Sequence, residues 1–268
     1  MNINWEQQTV VLTGAYGGLG RELAQLIHQK GAKLILFGRN EQRLLDLQHQ
    51  LGANVDVFVG DVSDAENNQL LMQSLQNEAS PQRMLINNAA ISQTGFLQNQ
   101  SATEIKRVLD VNLLSPILLS QQLLPWLKHA KSAQIINIGS SFGAIGYPGF
   151  SSYCASKFGL RGFTQALGRE LSDTVVRTQY LAPRAMATGI NSAAVDDLNQ
   201  QLKNTVDEPA QVAQQILKAI EKNQSEKFFG WPEKLFTKIN ALLPNVVSKA
   251  IRKDQSTIKS FLNNEVKS

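Results

Sequence analysis

Six short runs of apolar residues, separated by amphipathic stretches, limit the folds open to this chain more than any other feature. They are TVVLTG (9–14), KLILFG (33–38), NVDVFVGD (54–61), MLINNA (84–89), QIINIGS (134–140) and VRTQYLAP (176–183). Between the first two lies LGRELAQLIHQKGA, where Leu19, Leu23, Leu26 and Ile27 recur on one helical face and Gly31 marks a stop. Strands apolar throughout are strands covered on both faces, and helices between them make right-handed parallel crossovers. The pattern predicts an α/β fold, a single doubly wound parallel sheet with helices on both faces. A seventh short strand, KFFGW (227–231), is expected to close it. No repeat or linker divides the chain. The expected division is a body over residues 1–232 and a helical extension over 233–268.

Composition narrows the function. With 268 residues and 43% hydrophobic content, the chain can bury one sizeable core. The lone cysteine, Cys154, rules out an internal disulfide framework and fits a reducing, cytoplasmic setting. The opening residues lack the layout of a signal peptide, and no apolar run is long enough to span a membrane. A net charge of +4, without zinc-finger spacing or an RNA-binding aromatic signature, does not call for nucleic acid. Three scattered histidines, His28, His49 and His129, make a poor metal site.

The first strand runs into TGAYGGLG (13–20), whose glycines feed a helix N-terminus. Free N–H groups and the positive end of the helix dipole gather there, and glycine lets backbone approach a ligand closely. At the first strand–helix junction of an alternating chain, this turn predicts dinucleotide binding in a Rossmann-type sheet. The spacing is TGxxxGxG, not the more general GxGxxG. At the end of the second strand, Gly38 stands where an acid would bond a ribose 2′-hydroxyl, and Arg39 follows it. A guanidinium suits a 2′-phosphate, which points to NADP(H) rather than NAD(H).

Further along, Tyr153 and Lys157 stand one helical turn apart in SSYCASKFGL. Such a pair is a neighbour pair on any helix, but an ammonium beside a phenol also tunes it for proton transfer. Four features in order, TGxxxGxG at 13–20, NNAA at 87–90, Ser140 thirteen residues before Tyr153, and Tyr-x-x-x-Lys at 153–157, resemble the short-chain dehydrogenases/reductases. The resemblance covers about residues 8 to 232. It implies an NADP(H)-dependent oxidoreductase that interconverts a small-molecule carbonyl and a secondary alcohol. It makes Tyr153 the general acid/base and has Lys157 lower the phenol's pKa and bond the nicotinamide ribose. Ser140 would hold the substrate oxygen, and Asn112 would anchor a water in the proton relay. It places Gly14, Tyr16, Gly18, Leu19 and Gly20, then Arg39 and Asn40, Asp61 and Val62, and Asn88, Ala89 and Ala90 against the cofactor. Pro183, Met186 and Thr188 join Tyr153 and Lys157 there. It also implies a homodimer or homotetramer.

The chain departs from the family's pattern in two places. Ala90 ends NNAA where glycine is usual, and Arg184 follows Pro183 where glycine is usual. Arg184 is read either as a recogniser of an anionic substrate group or as an outward surface arginine. Cys154 reads as small-residue packing. In the tail, KLFTKINALLPNVVSKAIRK (234–253) is amphipathic and basic, and Pro244 breaks it into two pieces or a kink. It packs on the core or a sister subunit, or it lies peripherally on an anionic membrane face. A 3-oxoacyl thioester or other lipid-like carbonyl is the first substrate reading. The alternatives are a non-catalytic NADPH-binding regulator and a membrane-tethered scaffold.

Overall fold

The computed structural model describes residues 3–187, 193–202 and 204–265. Seven strands form one parallel sheet: β1 (Gln8–Thr13), β2 (Lys33–Gly38), β3 (Val55–Val59), β4 (Gln82–Asn87), β5 (Ser132–Ile138), β6 (Val176–Ala182) and β7 (Glu226–Phe228). Their order is β3-β2-β1-β4-β5-β6-β7. The winding therefore reverses between β1 and β4, and a crevice opens at the carboxyl ends of those two strands.

The helices are α1 (Gly18–Gln29), α2 (Glu41–Leu51), α3 (Ala65–Ser74), α4 (Ala102–Leu109), α5 (Ser115–Lys128), α6 (Ser151–Glu170), α7 (Ala193–Gln201), α8 (Pro209–Glu221), α9 (Glu233–Leu242), α10 (Pro244–Lys253) and α11 (Gln255–Glu265). Alternate strand residues feed two buried layers. Val10, Leu12, Leu34 and Leu36 pack with Leu23 and Ile27 of α1 and Ile216 and Ile220 of α8. Val11, Ile35, Phe37 and Leu85 pack with Leu71 of α3 and Leu119, Leu123 and Trp126 of α5. Helix α1 stops as the sequence suggests: Gly31 takes φ +90° just past the cap.

Several boundaries differ from the sequence expectation. Strands β4 and β5 begin two residues earlier, on polar residues whose backbone still pairs along the sheet: Gln82 with Gln8, and Ser132 with Gln82. Strand β3 is shorter, starting after Asn54 at φ +63°. Strand β7 ends at Phe228 rather than 231, because Gly230 turns at φ +83° and Pro232 follows. In the tail, Pro244 does break the helix: α9 ends at Leu242 and α10 starts with Pro244 in its first turn. A third piece, α11, packs on the body as well. Its Ile258, Phe261 and Leu262 share a buried cluster with Phe150 and Cys154 of the α6 region and with Val195 and Leu198 of α7.

Candidate active site

The crevice at the β1 and β4 ends is stitched by short hydrogen bonds. Thr13 Oγ1 accepts the backbone N–H groups of Asn88 and Ala89, each at 3.0 Å. The Asn88 side-chain amide donates to the carbonyls of Thr13 (3.0 Å) and Gly14 (3.2 Å). Gly14 sits at φ +63°, and a Cβ there would lie 2.9 Å from the Ala89 Cα. The turn can lie this close to β4 only as glycine, and α1 begins at Gly18 with no side chain capping its first amides.

A cleft of about 440 Å³ opens here. Of the residues expected to meet a cofactor, Gly14, Tyr16, Gly18, Leu19, Gly20, Arg39, Asp61, Val62, Asn88, Ala89, Ala90, Tyr153, Lys157 and Met186 line it. Two expected residues do not. Asn40 caps α2, its side-chain oxygen accepting the Arg43 N–H at 2.9 Å. Pro183 is buried behind the wall, its carbonyl accepting the Ser141 N–H at 3.0 Å. Thr188 lies outside the described residues. Arg43, in the first turn of α2 four residues past Arg39, was not anticipated. It lines the cleft with its guanidinium 5.8 Å from the centre of the Tyr16 ring. Gly38, at the acid's usual place, makes room for that ring: a Cβ would sit 2.6 Å from Tyr16 Cε1. Arg39, half exposed, stands 3.8 Å from Asp61. Burial pushes the Asp61 carboxyl up, but hydrogen bonds from Ser63 and the nearby Arg39 hold it below its ordinary range.

Tyr153 and Lys157 come from α6, Ser140 from the loop after β5. Tyr153 is half-buried, and the Ser140 side chain beside it favours its ionisation. Lys157 donates to the Ile138 carbonyl at 3.0 Å, and its ammonium lies 5.8 Å from the Tyr153 ring centre. Burial lowers Lys157 to about 8. Burial also raises Tyr153 to about 12, with the Ser140 bond working the other way. Within the protein's own groups, desolvation of the phenol outweighs any help from the lysine, contrary to the expectation that Lys157 lowers it.

Ser140 is braced by a residue the sequence did not single out. Tyr180 of β6 is 1% exposed; its hydroxyl accepts the Ser140 N–H (3.3 Å) and donates to the Ser140 carbonyl (3.2 Å). Gly139 and Gly143 leave the space for its ring, since a Cβ at either would overlap Tyr180.

Asn112 lies in a π-helical turn, Asp110–Leu114, joining α4 to α5. Its amide closes a pair of 2.8 Å bonds with the backbone N–H and carbonyl of Ile91 and reaches Ser156 Oγ at 3.2 Å. Ser156 in turn donates to the Tyr153 carbonyl at 2.7 Å. The side chain thus clamps the β4 loop to α6 beneath Tyr153 instead of facing the cleft, and it is fully buried.

A second cavity, about 340 Å³, adjoins the first. Phe142, Tyr147, Phe150 and Tyr153 form its aromatic wall, with Phe142 and Tyr147 stacked at 5.1 Å. Val195 and Leu198 of α7, Phe236 of α9, and Val247, Ala250 and Ile251 of α10 add apolar lining, and Ser140, Asn199, Thr205 and Asp254 are among its polar groups. Arg184 also touches this cavity, but it is neither an anion receptor nor a surface arginine. Its guanidinium makes a two-pronged pair with Asp207 (2.9 and 2.7 Å), reaches Glu233 at 3.1 Å and donates to the Trp231 carbonyl. With donors committed to two carboxylates and a backbone carbonyl, it ties the β6 loop to the start of α9, and glycine at 230 gives it room. Among the described residues, no group of three or more His, Cys, Asp or Glu is placed to hold a metal ion.

Comparison with known proteins follows the same outline. A family model described as short chain dehydrogenase matches residues 8–199. An uncharacterized oxidoreductase of Staphylococcus saprophyticus is 31% identical over 225 residues, 81% of this chain and 91% of the relative. A 3-oxoacyl-[acyl-carrier-protein] reductase, FabG, of Rickettsia typhi is 31% identical over 205 residues, 76% of this chain and 81% of the relative. The crystal structure of a short chain dehydrogenase/reductase from Burkholderia phymatum in complex with NAD has a TM-score of 0.76 at 24% identity, covering 96% of each chain.

Proposed function

The chain belongs to the short-chain dehydrogenase family, and from that premise we propose that it is an NADP(H)-dependent reductase of apolar carbonyls, with a 3-oxoacyl thioester as the leading candidate. One observation carries the reading: Tyr153 lines both the glycine-turn cleft and the aromatic pocket. A group donating a proton to a carbonyl oxygen beside a bound nicotinamide has to stand at that junction.

The cleft's residues fit such a cofactor. The close approach at Gly14 and the uncapped α1 amides suit a pyrophosphate. Lys157 is almost fully buried, yet an ammonium has three donors, and the cleft side offers a place for a ribose diol. The phosphate form of the cofactor is favoured by two guanidinium groups, Arg39 and Arg43, at the end of β2, with no acid at position 38. When bound in reduced form, the cofactor supplies the hydride. Tyr153 supplies the proton, and Ser140, fixed by Tyr180, holds the same oxygen as it gains charge. A phenol is protonated at neutral pH, so Tyr153 carries the proton that carbonyl reduction needs. Asn112 keeps the β4 loop and α6 in register and acts as a positioning residue. The apolar, aromatic lining favours a lipid-like substrate, and one relative's name, a 3-oxoacyl-[acyl-carrier-protein] reductase, points the same way.

The test is consumption of NADPH and of NADH against thioesters and free ketones side by side. The expected result is turnover with NADPH, strongest on long-chain substrates. Tight NADPH binding without turnover on any carbonyl would instead favour a regulatory nucleotide-binding role.

A further inference from the structure

Helices α9 and α10 have two faces with different surroundings. Inward, Phe236, Val247, Ala250 and Ile251 line the aromatic pocket. Outward, Leu235, Lys238 and Leu242 follow one another at i, i+3 and i+7 on α9, and Val246, Lys249 and Lys253 repeat that spacing on α10, all exposed. Where the helices meet, residues 241–246 (Ala-Leu-Leu-Pro-Asn-Val) are exposed without a break, with Leu242 at 81% and Leu243 at 59%. Leucines that exposed on a structured corner are unusual for a surface with no partner. The segment 231–253 holds five basic residues and one acid, Glu233, and that acid is bonded to Arg184. Its net charge of +4 equals that of the whole chain.

We propose that this corner docks on an anionic lipid surface, with Leu242, Leu243 and Val246 entering the headgroup boundary and Lys238, Lys249, Arg252 and Lys253 contacting acidic headgroups. Apolar side chains ringed by lysines match that chemistry. A second copy of the chain matches it less well, because a two-fold contact sets the patch against itself and opposes lysine to lysine. Among the described residues no helix is long and apolar enough to cross a membrane, so the contact is peripheral. Because the inner face of the same helix pair lines the pocket, docking brings the pocket wall to the bilayer, and a carbonyl dissolved there has a short path to Tyr153. The docking stands on the surface alone, while the delivery of a carbonyl rests on the reaction proposed above.

The full chain is tested by sedimentation with vesicles of phosphatidylglycerol and phosphatidylcholine against phosphatidylcholine alone. Binding is expected only to the anionic vesicles and is expected to weaken with salt. It should fall by roughly fivefold for each lysine removed in Lys238→Ala, Lys249→Ala and Lys253→Ala combined, and be lost in Leu242→Asp with Leu243→Asp. Equal binding by the variants, or no vesicle binding by the parent chain, overturns the proposal. So does a leucine variant that changes oligomeric state without affecting vesicles, which would assign the corner to a contact between copies. On substrates, the leucine variant should keep its rate on a water-soluble ketone and lose rate on a long-chain ketone dissolved in the bilayer. Equal rates on both would remove the delivery step. If the chain reduces no carbonyl at all, the reaction reading fails while sedimentation still decides the docking.

Discussion

The two cavities that meet at Tyr153 are built in contrasting ways. The floor of the nucleotide cleft is backbone, a glycine turn and the ends of β1, β2 and β4 tied together by Thr13 and Asn88, with side chains such as Tyr16, Arg39 and Arg43 around it. The apolar pocket is walled by side chains from α6, α7, α9 and α10 and from the loops between them. In the first, a misplaced methyl at Gly14 would strike the main chain, which cannot move aside. In the second, the wall is made of apolar rings and branched side chains that repack at modest cost. A backbone-built site accepts one kind of ligand, and a side-chain-built site can be retuned while its neighbour stays fixed.

The largest test of this contrast is Tyr153, which with Met186 lines both cavities. Tyr153→Phe should lower turnover by about a thousandfold, the middle of the range for loss of a positioned proton donor. NADPH affinity, measured by fluorescence titration, should stay within about twofold. A parallel loss of NADPH binding would mean the cavities are not separable at this residue. Next comes the staple beneath the pocket. Arg184→Met leaves the Asp207 and Glu233 carboxylates without their partner and should cost on the order of 3 kcal/mol in unfolding. In the folded fraction it should raise KM for the carbonyl and leave NADPH affinity unchanged. A loss confined to anionic substrates, with normal stability, would restore the recognition role that the ion pairs argue against.

A smaller effect sharpens the nucleotide side. Arg39→Ala should weaken NADPH binding by roughly tenfold, the worth of one charge-assisted hydrogen bond, and leave NADH untouched. Equal losses for both would show that Arg39 does not read the 2′-phosphate. The smallest is a pH effect. Burial sets Lys157 near 8, so its cation is fully present below that value and is lost as pH rises through it. NADPH affinity should therefore be flat at lower pH and decline by several-fold above about pH 8. Lys157→Met should be uniformly weak, with that decline gone.

The same contrast explains what could be read in advance. The sheet, the cleft and the Ser140, Tyr153 and Lys157 set were legible because each imposes a local pattern: apolar runs, glycines at fixed offsets, a tyrosine and lysine one helical turn apart. The cap that Asn40 makes for α2 was not legible beforehand, because its side chain turns to the Arg43 N–H. Arg184 was misread because its partners lie 23 and 49 residues away, beyond any local spacing. Tyr180 and the pocket's aromatic wall went unnoticed for the same reason, since packing across elements leaves no short-range trace. The Tyr153 pKa was expected to fall because a neighbouring cation can be read from spacing. How deeply the phenol is buried cannot, and burial prevailed.

The fit of Tyr180 against Gly139 and Gly143 carries a consequence for how such an enzyme can evolve. A methyl at either glycine collides with the ring, and a smaller residue at 180 removes the brace from Ser140. Either change alone carries a cost, a steric one at the glycines and a lost brace at 180, so the three positions are coupled. Descendants of this chain are expected to keep all three together or to replace them as a set, which makes joint variation at 139, 143 and 180 a tracer of common ancestry within this branch.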